Sequence, residues 1–411
     1  MYNSYKCDII SLEVTVMKMR KKDLEKQQID KTLFVYNHRK EIIKKLDKWM
    51  SDKYYDIRPL IQCNSEYLVA FGEKSNGKST AMQMVACICY WLWGVQSVLL
   101  RLYNEDFLKG RAEKMFGGIP SGFIEKLTNG KYDHIIYKRY AWYFAKTPDD
   151  PDDAAIVDEK AFCFRQCILN AGSSFQMPEV EIILFDEFIR KDTQRNVADE
   201  FVEFQTVVST IKRNKTSLQI FMMGNTVNYY SVYFKEMGLK NIRQQVQGSI
   251  DTYTYGSSDL SVSVEYCKTP EGKNQAGNKY FAFNNPKLKM ITGGKWQLDI
   301  YPHLPRKYRP KDIILTYFIK FDDIMFQCDI VARESNLFTY IHTKIDHTVD
   351  FNKDVIYQIE DDSRPNILKN ISRPIYDFQK TIWQFFIANK VFYQDNEVGD
   401  MIHAYLKWCI A

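Results

Sequence analysis

The chain has 411 residues, 45% of them hydrophobic and 26% charged, a balance typical of a globular protein with two or three domains. It excludes a collagen, a coiled coil and a wholly disordered chain. Basic residues (56) exceed acidic ones (51) by only 5, which argues against a protein that coats nucleic acid through bulk charge. Residues 1–50 contain 12 basic and 7 acidic side chains and so hold the whole excess, and any nucleic-acid contact elsewhere must come from local patches.

The N-terminal segment, residues 1–50, is predicted to be a basic helical extension. Apolar residues between Leu33 and Trp49 recur at helical spacing among many lysines. Two interpretations stay open: a solvated helix packed on the next domain, or a basic docking arm. The most apolar stretch, residues 81–100, is interrupted by Gln83, Gly94 and Gln96, so we expect no membrane span.

Residues 51–266 are predicted to form an α/β domain. A strand at 67–71, a helix at 79–93 and a strand at 97–103 make a βαβ unit and indicate a parallel sheet. Two β-rich runs, 134–140 and 161–169, flank the acidic turn 148–153 and predict an inserted hairpin. Further strands are predicted at 181–188 and 218–223, with a helix at 198–212 between them.

The composition changes after residue 266. Residues 267–305 are rich in turn formers and prolines and are predicted to be a linker. Residues 306–411 then form a C-terminal domain with long β-type runs at 313–321, 324–331 and 337–342, followed by a helical end. Asp322 and Asp323 lie where a hairpin turn would form between the first two runs.

A phosphate-binding loop follows the first strand. Residues 72–79 match G-x-x-x-x-G-K-[ST] at every fixed position, between an apolar strand and a helix. The glycines let backbone N–H groups point at the phosphates, and the helix N-terminus adds positive charge. Lys78 can reach the β- and γ-phosphates and Ser79 can hold Mg²⁺. The predicted ATP-binding residues are Gly72, Lys74, Ser75, Asn76, Gly77, Lys78, Ser79 and Thr80.

An acidic pair ends the strand at 181–188. Asp186 follows four apolar residues and is predicted to order Mg²⁺, whereas Glu187 would polarise the attacking water. The apolar run is needed because both carboxylates must emerge from a buried strand at the sheet edge where the phosphates lie. Beside the phosphate-binding loop, this pair predicts ATP hydrolysis with Mg²⁺, in the class that couples ATP to mechanical work.

Two polar side chains complete the candidate catalytic set. Asn225 ends the strand at 218–223 and could bind the attacking water or the γ-phosphate, or simply cap the following turn. Arg213 ends the helix at 198–212 and could reach a neighbouring subunit's ATP as an arginine finger. Cations also favour helix C-termini for electrostatic reasons, so spacing alone leaves both interpretations of Arg213 open.

The order of these motifs resembles the genome-packaging ATPases of small tailed phages, the phi-twenty-nine-like DNA encapsidation proteins. The resemblance rests on residues 72–79, 99–103, 183–190 and 211–225, and it spans most of residues 66–411. Arg101 matches a family arginine, whereas the lysine that follows this strand in relatives is Asn104 here.

The resemblance implies an ASCE-type P-loop ATPase domain with a parallel sheet, followed by a smaller mixed α+β, ribonuclease-H-like domain without nuclease function. It also implies a homo-oligomeric ring, with five subunits, in which Arg213 acts in trans. Such a ring would attach to the portal of a prohead in the host cytoplasm and pump double-stranded DNA. Whether a packaging RNA joins the motor stays open.

A motor that moves any sequence must contact phosphates rather than bases. The candidate cations are Arg306, Lys307, Arg309 and Lys311, with a second set at Lys109, Arg111 and Lys114; each set could equally be a solvated surface. Three rivals remain: a terminase-like enzyme with an active C-terminal nuclease, a helicase-type ATPase, and a non-enzymatic nucleotide-gated assembly factor. The first needs converging carboxylates, and we expect Glu360, Asp361 and Asp362 to lie in a solvated loop instead.

Overall fold

The computed structural model describes most of the chain from residue 33 to residue 410. The described residues are 33–50, 54–108, 110–150, 154–169, 179–189, 199–213, 217–226, 231–256, 258–268, 300–304, 308–333, 336–346 and 348–410. Among the helices that they form, none combines the length and the apolar character needed to span a bilayer.

The described residues form ten α-helices, two short 3-10 helices and sixteen strands in two sheets. The helices are α1 Phe34–Asn37, α2 Arg39–Leu46, α3 Arg58–Ile61, α4 Lys78–Trp93, α5 Arg111–Lys114, α6 Phe123–Leu127, α7 Glu200–Lys212, α8 Val232–Glu236, α9 Asp377–Ile387 and α10 Asn396–Ile410. The 3-10 helices are Asn104–Phe107 and Pro310–Asp312.

Ten strands form the first sheet: β1 Tyr67–Gly72, β2 Gln96–Arg101, β3 His134–Lys138, β4 Ala141–Lys146, β5 Ile156–Val157, β6 Cys163–Cys167, β7 Val180–Asp186, β8 Gln219–Asn225, β9 Ile250–Tyr255 and β10 Leu260–Tyr266. Six form the second: β11 Ile313–Phe321, β12 Ile324–Arg333, β13 Asn336–His342, β14 Ile356–Tyr357, β15 Ile367–Leu368 and β16 Val391–Tyr393.

The first sheet has a parallel centre. Its strands lie in the order β3-β4-β6-β2-β7-β8-β1-β10-β9, and the six from β6 to β10 are mutually parallel. The antiparallel strands β3, β4 and β9 lie at its two sides. The predicted α/β fold is therefore confirmed, and the carboxyl ends of β1, β2, β7 and β8 meet at one edge.

One sequence prediction about this sheet is wrong. The hairpin does not pair residues 134–140 with residues 161–169; β3 instead pairs with β4 through the tight turn at Arg139 and Tyr140. The second run becomes β6, which pairs in parallel with β2 along its whole length. The reason is the additional β-rich run Ala141–Lys146, whose Trp142 and Phe144 are fully buried.

Both faces of the first sheet are covered by apolar side chains. One face packs against α4. The apolar residues of α4 and the side chains of the neighbouring strands on that face form a single buried cluster. Val35, Ile42 and Leu46 of α1 and α2 are fully buried in that same cluster, and Val35 N donates to Gln219 Oε1 of β8 at 2.7 Å. In residues 33–50, therefore, the predicted amphipathic segment packs on the sheet, whereas residues 1–32 lie outside the described part.

The second sheet has the order β15-β14-β11-β12-β13-β16. Strands β11, β12 and β13 are antiparallel neighbours, whereas β14 runs parallel to β11 and β15 parallel to β14. The second sheet is therefore mixed and smaller than the first, which fits the smaller mixed α+β domain that the resemblance implied. Helices α9 and α10 supply Ile382, Ile402 and Tyr405 to its buried cluster, and Asp322 and Asp323 form the β11–β12 turn as predicted.

Charged side chains join the two sheet-containing regions. Arg243 Nη1 lies 3.2 Å from Glu397 Oε1, and Arg243 Nη2 lies 3.9 Å from Asp322 Oδ2. Lys240 Nζ lies 3.6 Å from Asp323 Oδ2. In these pairs the cation comes from the segment after α8 and the carboxylate from the C-terminal region, so the two surfaces are complementary in charge.

Candidate nucleotide site

The phosphate-binding loop joins the buried strand β1 to α4. Ser75 (φ +60°) and Gly77 (φ +96°) both have left-handed backbone conformations, which turn the chain sharply before the helix begins. Gly72 is crowded from the side, since an added Cβ would lie 3.0 Å from the Cβ of Cys267. Because α4 begins at Lys78, its unpaired first N–H groups belong to the loop, as anion binding requires.

Lys78 folds back into this loop. Its Nζ donates to the carbonyl oxygen of Glu73 at 2.7 Å and to Asn76 Oδ1 at 3.0 Å, and it lies 3.4 Å from Asn225 Oδ1 at the end of β8. The side chain is 5% exposed. The structure thus brings Lys78 and Asn225 together, although 147 positions separate them in the sequence.

The other predicted loop residues have distinct surroundings. Lys74 and Ser75 are exposed at the loop tip, whereas Asn76 is buried. The Nδ2 atom of Asn76 has no hydrogen-bond partner among the described residues, and a phosphate oxygen would accept from such a donor. Thr80 Oγ1 lies close to Gly118, where an added Cβ would be 2.6 Å away.

Ser79 and Asp186 supply two oxygen ligands of the kind that Mg²⁺ prefers. Ser79 Oγ donates to Asp186 Oδ1 at 2.6 Å, which brings together the hydroxyl and the carboxylate that the sequence predicted for the metal. Burial raises the pKa of Asp186 above its ordinary value, whereas Arg101 and the Ser79 hydroxyl act in the opposite direction. The donor set therefore fits a hydrated Mg²⁺ beside a bound phosphate.

Arg101 links the two acidic residues. From the end of β2, its Nη2 donates to Asp186 Oδ2 at 2.8 Å and its Nη1 donates to Glu187 Oε2 at 2.6 Å. The Arg101 side chain is 10% exposed and that of Glu187 is 59% exposed. Glu187 also has a left-handed φ of +59°, which costs about 1–2 kcal/mol in a residue other than glycine.

The sequence motifs predict no role for Arg101 beyond its match to a family arginine. A signal was present, since an arginine that ends an apolar strand must find a negative partner when it is buried. The sequence could not say which carboxylate this partner would be, because β2 and β7 become neighbours only in the sheet.

Arg213 lies at the other edge of the sheet from the loop. Helix α7 starts after β7, which ends at the nucleotide edge, and finishes before β8, which starts at the opposite edge. Arg213 is the exposed residue that ends α7, with a left-handed φ of +32°. The end of α7 therefore lies nearer to the start of β8 than to the loop of its own chain at the opposite edge of the sheet.

The segment before β1 is held against the loop. Tyr55 N donates to the Asn76 carbonyl oxygen at 2.7 Å, and Tyr55 Oη donates to Glu265 Oε2 at 2.7 Å. Burial raises the pKa of Glu265 to about 7, although the Tyr55 hydrogen bond acts against this. The ring of Tyr54, which is 60% exposed, lies against Gly77.

The carboxylates available to a C-terminal nuclease site are paired with cations. Asp322 and Asp323 face Arg243 and Lys240, as described above, and Glu360 lies 4.0 Å from Lys235. The next two acids also have partners: Lys369 pairs with Asp361 and Arg364 with Asp362. Within the described part of the chain, no three His, Cys, Asp or Glu residues come together as metal ligands.

Two of the four predicted DNA-contacting cations can be placed. Arg309 and Lys311 are both exposed at the 3-10 helix before β11, and Arg309 Nε lies 3.5 Å from Asp312 Oδ2. Arg306 and Lys307 lie outside the described residues. The neighbouring Tyr308 is directed inward, where its hydroxyl donates to Asp329 Oδ2 at 2.6 Å.

A protein-family model matches more than half of the chain. The model of the podovirus DNA encapsidation protein (Gp16) matches residues 157–403, which is 247 of the 411 residues. This range contains Asp186, Glu187, Arg213 and Asn225 but begins after the phosphate-binding loop. The interpretation of the loop therefore depends on its own sequence pattern and geometry.

The sequence identity to individual relatives is low. The DNA packaging proteins of Bacillus phages phi29 and PZA are each 21% identical to this chain over 231 residues. That alignment covers 55% of this chain and 63% of each relative, so it spans less than two thirds of their length.

Two solved structures share the fold. The Phi-28 gp11 DNA packaging motor superposes with a TM-score of 0.50 and 16% identity, covering 88% of this chain and 99% of that chain. The chain from the bacteriophage Phi-29 genome packaging motor assembly gives 0.51 and 14%, covering 87% and 99%. At sequence identities this low, the similarity shows a shared fold and nothing more.

Proposed function

Since this chain belongs to the podovirus DNA encapsidation protein (Gp16) family, we propose that it is the ATPase of a packaging motor, which couples ATP hydrolysis to movement of double-stranded DNA into a prohead through the portal. The observation that carries the proposal is the convergence of Lys78, Ser79 and Asp186 at the carboxyl edge of the first sheet. A phosphate-binding loop beside a buried carboxylate is the arrangement that binds and hydrolyses a nucleoside triphosphate.

In the proposed reaction the loop binds the phosphates of ATP. Its N–H groups and the Lys78 ammonium donate to the β- and γ-phosphate oxygens, which replace the Glu73 and Asn76 oxygens that Lys78 now contacts. Ser79 and Asp186 would hold Mg²⁺, which supplies positive charge beside the phosphate oxygens when it is bound. Asn225, next to Lys78, is placed to orient the γ-phosphate or the attacking water.

Glu187 is the proposed general base. Its carboxylate is mostly exposed and is held on one oxygen by Arg101, so it can accept a proton from a water after a change of side-chain rotamer. Arg101 keeps its second hydrogen bond to Asp186 during such a change. The guanidinium therefore stays in place and continues to balance the charge of the buried carboxylate.

Arg213 is proposed to act on the ATP of a neighbouring subunit. Its position at the sheet edge opposite its own loop supports a trans role, because an exposed cation there can face the next subunit of a ring. A homo-oligomeric ring, with five subunits as the sequence resemblance implies, would place one Arg213 at each shared site.

The proposed partners follow from the same function. The motor contacts DNA through phosphates without sequence preference, and Arg306, Lys307, Arg309 and Lys311 are the cations proposed for this contact in the C-terminal region. The ring works at the portal of a prohead in the host cytoplasm. An RNA component of the motor is compatible with the proposal but is not needed for the chemistry.

The experiment that tests this function is ATP-driven packaging with purified proheads. We expect the wild-type chain to hydrolyse ATP and to move DNA into a nuclease-protected state. Glu187→Gln should bind ATP but lower turnover by 10²–10⁴-fold, since it removes the base while keeping the shape of the side chain. Glu179→Gln is the matched control, because Glu179 precedes the same strand and its side chain pairs with Lys160 on the surface.

Three results would count against the proposal. Unchanged ATP turnover in Glu187→Gln would remove the assigned base. Turnover without any DNA protection would favour an ATPase with another task, such as a helicase. Cleavage of DNA by the purified chain, with Mg²⁺ and without proheads, would favour the terminase-like alternative.

A further inference from the structure

The turn between β3 and β4 has an unusual composition. Arg139 (φ +51°) and Tyr140 (φ +67°) both have left-handed backbones, the conformation of a two-residue hairpin turn that asparagine and glycine normally occupy. A comparable turn, at Asp322 (φ +53°) and Asp323 (φ +60°), uses aspartate, which tolerates this conformation. Large side chains in strained turns are concentrated at functional sites.

The tip of this hairpin is basic, aromatic and exposed. Lys138 and Arg139 are exposed, and the Tyr140 side chain is 67% exposed. The guanidinium carbon of Arg165, on β6, lies 4.3 Å from the centroid of the Tyr140 ring, and Arg165 N donates to the Tyr140 carbonyl oxygen at 3.1 Å. The tip is thus anchored to the sheet through Arg165, and Lys138 and Arg139 add two exposed cations next to Tyr140 in the turn.

Helix α5 lies beside the hairpin. Trp142 Nε1, at the start of β4, donates to the Ala112 carbonyl oxygen at 2.8 Å. This contact brings Arg111 and Lys114, two members of the second cation set found in the sequence, to the same side of the molecule. Residues 105–114 contain three acidic and three basic side chains, whereas residues 138–140 contain two basic side chains and no acidic one.

The tip also lies at the nucleotide edge of the sheet. Ala141 pairs with Phe164, the second residue of β6, and β4 runs antiparallel to β6, so the turn that precedes Ala141 extends towards the carboxyl end of β6. Strand β6 pairs in parallel with β2, where Arg101 is opposite Cys167. Arg101 in turn contacts Asp186 and Glu187. A ligand at the tip would therefore lie two strands away from the residue that holds the proposed base.

From these observations we propose that Lys138, Arg139, Tyr140 and Arg165 form a contact for the phosphate backbone of double-stranded DNA. The cations and the Tyr140 hydroxyl are donors to phosphate oxygens, and the narrow tip of a two-stranded ribbon fits a groove of the duplex. The contact carries no base readout. It rests on the proposed function, since it assigns a second DNA-contacting site to the motor, in the ATPase region rather than in the C-terminal one.

The test measures binding of a 40-base-pair duplex of arbitrary sequence to the full chain by fluorescence anisotropy at several salt concentrations. Lys138→Ala/Arg139→Ala should weaken binding about tenfold near 0.1 M salt and lower the salt slope by about two. Lys353→Ala/Lys380→Ala is the control for net charge, since both lysines are exposed in the C-terminal region. Neither variant touches the ATP site, so basal ATP turnover should not change.

A second variant uses the strain of the turn. Arg139→Asn/Tyr140→Gly places the preferred residues at both left-handed positions, so its melting temperature should rise while its DNA affinity falls. A structural hairpin without a ligand predicts the rise in melting temperature but no change in affinity, and that result would overturn the inference.

The outcomes separate this site from the proposed function. If the wild-type chain binds no duplex at any salt concentration, the proposed function fails and the site fails with it. If the wild type binds and the hairpin variants bind equally well, only the hairpin site is excluded. If the hairpin variant and the charge control weaken binding to the same degree, the effect is one of net charge and the inference is also overturned.

Discussion

Arg101 Nη1 lies 2.6 Å from Glu187 Oε2, so the proposed base is held by the same guanidinium that contacts the buried Asp186. One cation therefore balances two adjacent carboxylates before any metal or nucleotide binds. Since the Arg101 side chain is almost inaccessible to solvent, water cannot take over this role if the residue is removed.

The first prediction concerns this cation. Arg101→Met should lower the free energy of unfolding by about 3 kcal/mol, because it leaves the buried Asp186 carboxylate without its partner. Mg²⁺ with ATP should stabilise this variant more than the wild type, since the metal brings positive charge to the same carboxylate. Denaturant unfolding with and without Mg²⁺–ATP measures both effects.

Arg58→Met is the matched control, because Arg58 makes two ion pairs at a more exposed position. It should cost less than about 1 kcal/mol and respond to Mg²⁺–ATP as the wild type does. Equal stability of Arg101→Met and the wild type would contradict the prediction.

The second prediction tests the trans role of Arg213. Glu187→Gln and Arg213→Ala should each be nearly inactive, the latter by about 10³-fold or more. Mixed rings of the two variants should regain activity, because an Arg213→Ala subunit keeps its own base and receives an arginine from a Glu187→Gln neighbour. ATP turnover across a series of mixing ratios measures this. If Arg213 acted within its own chain, every mixture would stay inactive.

The third prediction is a pH dependence of stability that comes from Glu265. Burial raises the pKa of this carboxyl to about 7, above its ordinary value of 4.5. The folded state therefore binds the proton more tightly, and the stability that protonation contributes is complete below about pH 4.5 and is lost as the pH rises through about 7. The slope should be about 1.4 kcal/mol per pH unit in that window.

Glu265→Gln should remove this slope while keeping an acceptor for Tyr55. Urea unfolding of both proteins at pH 5, 6, 7 and 8 measures it, and groups that titrate alike in both proteins cancel in the difference. Parallel stability curves for the two proteins would show that Glu265 has an ordinary pKa.

The fourth prediction concerns the charged contact between the two sheet-containing regions. Arg243→Glu adds a carboxylate beside Asp322 and Glu397 and should loosen the contact. Backbone hydrogen exchange in the first turn of α10 should then become faster. The double variant Arg243→Glu/Glu397→Arg restores opposite charges and should return exchange towards the wild-type rate. Equal exchange in the single and double variants would contradict an electrostatic contact.

The fifth prediction concerns a buried carboxylate in the second sheet. Burial acts to raise the pKa of Asp329, but its hydrogen-bond donors outweigh this and lower the pKa to about 2. These donors are Tyr308, Thr316, Gln327 and His342. The resulting stability is present above about pH 3.8 and is lost as the pH falls through about 2.

Asp329→Ala should lower the free energy of unfolding by about 3–5 kcal/mol, whereas Asp361→Ala, at an exposed position, should leave it almost unchanged.

Local sequence patterns were sufficient to predict many helices and strands of this molecule. The helix that follows the loop was predicted to start at Ser79 and to stop near Gly94, and it starts at Lys78 and ends at the left-handed Gly94. The parallel order of β1, β2, β7 and β8 followed from strands that alternate with helices. Such features depend on neighbours within about twenty residues, so the sequence displays them directly.

The position of the β3–β4 turn could not be predicted from local sequence patterns. The acidic turn at 148–153 was the stronger turn signal, and Arg139 and Tyr140 are poor residues for a tight turn. The chain nevertheless reverses direction at these two residues, because burial of Trp142 and Phe144 requires a strand at Ala141–Lys146. Tertiary packing outweighed the local preference of two residues.

The sequence alone predicts the phosphate-binding loop and the acidic strand end and carries the family resemblance, because each rests on short runs of residues at fixed spacing. Only the tertiary structure decided which groups face one another across the sheet. Arg101 finds Asp186 because β2 and β7 are neighbours, and Lys78 meets Asn225 because β1 lies beside β8. The physical reason is that a buried charge must find its partner across strands that are distant in the chain, and no local signal encodes which strands will pair.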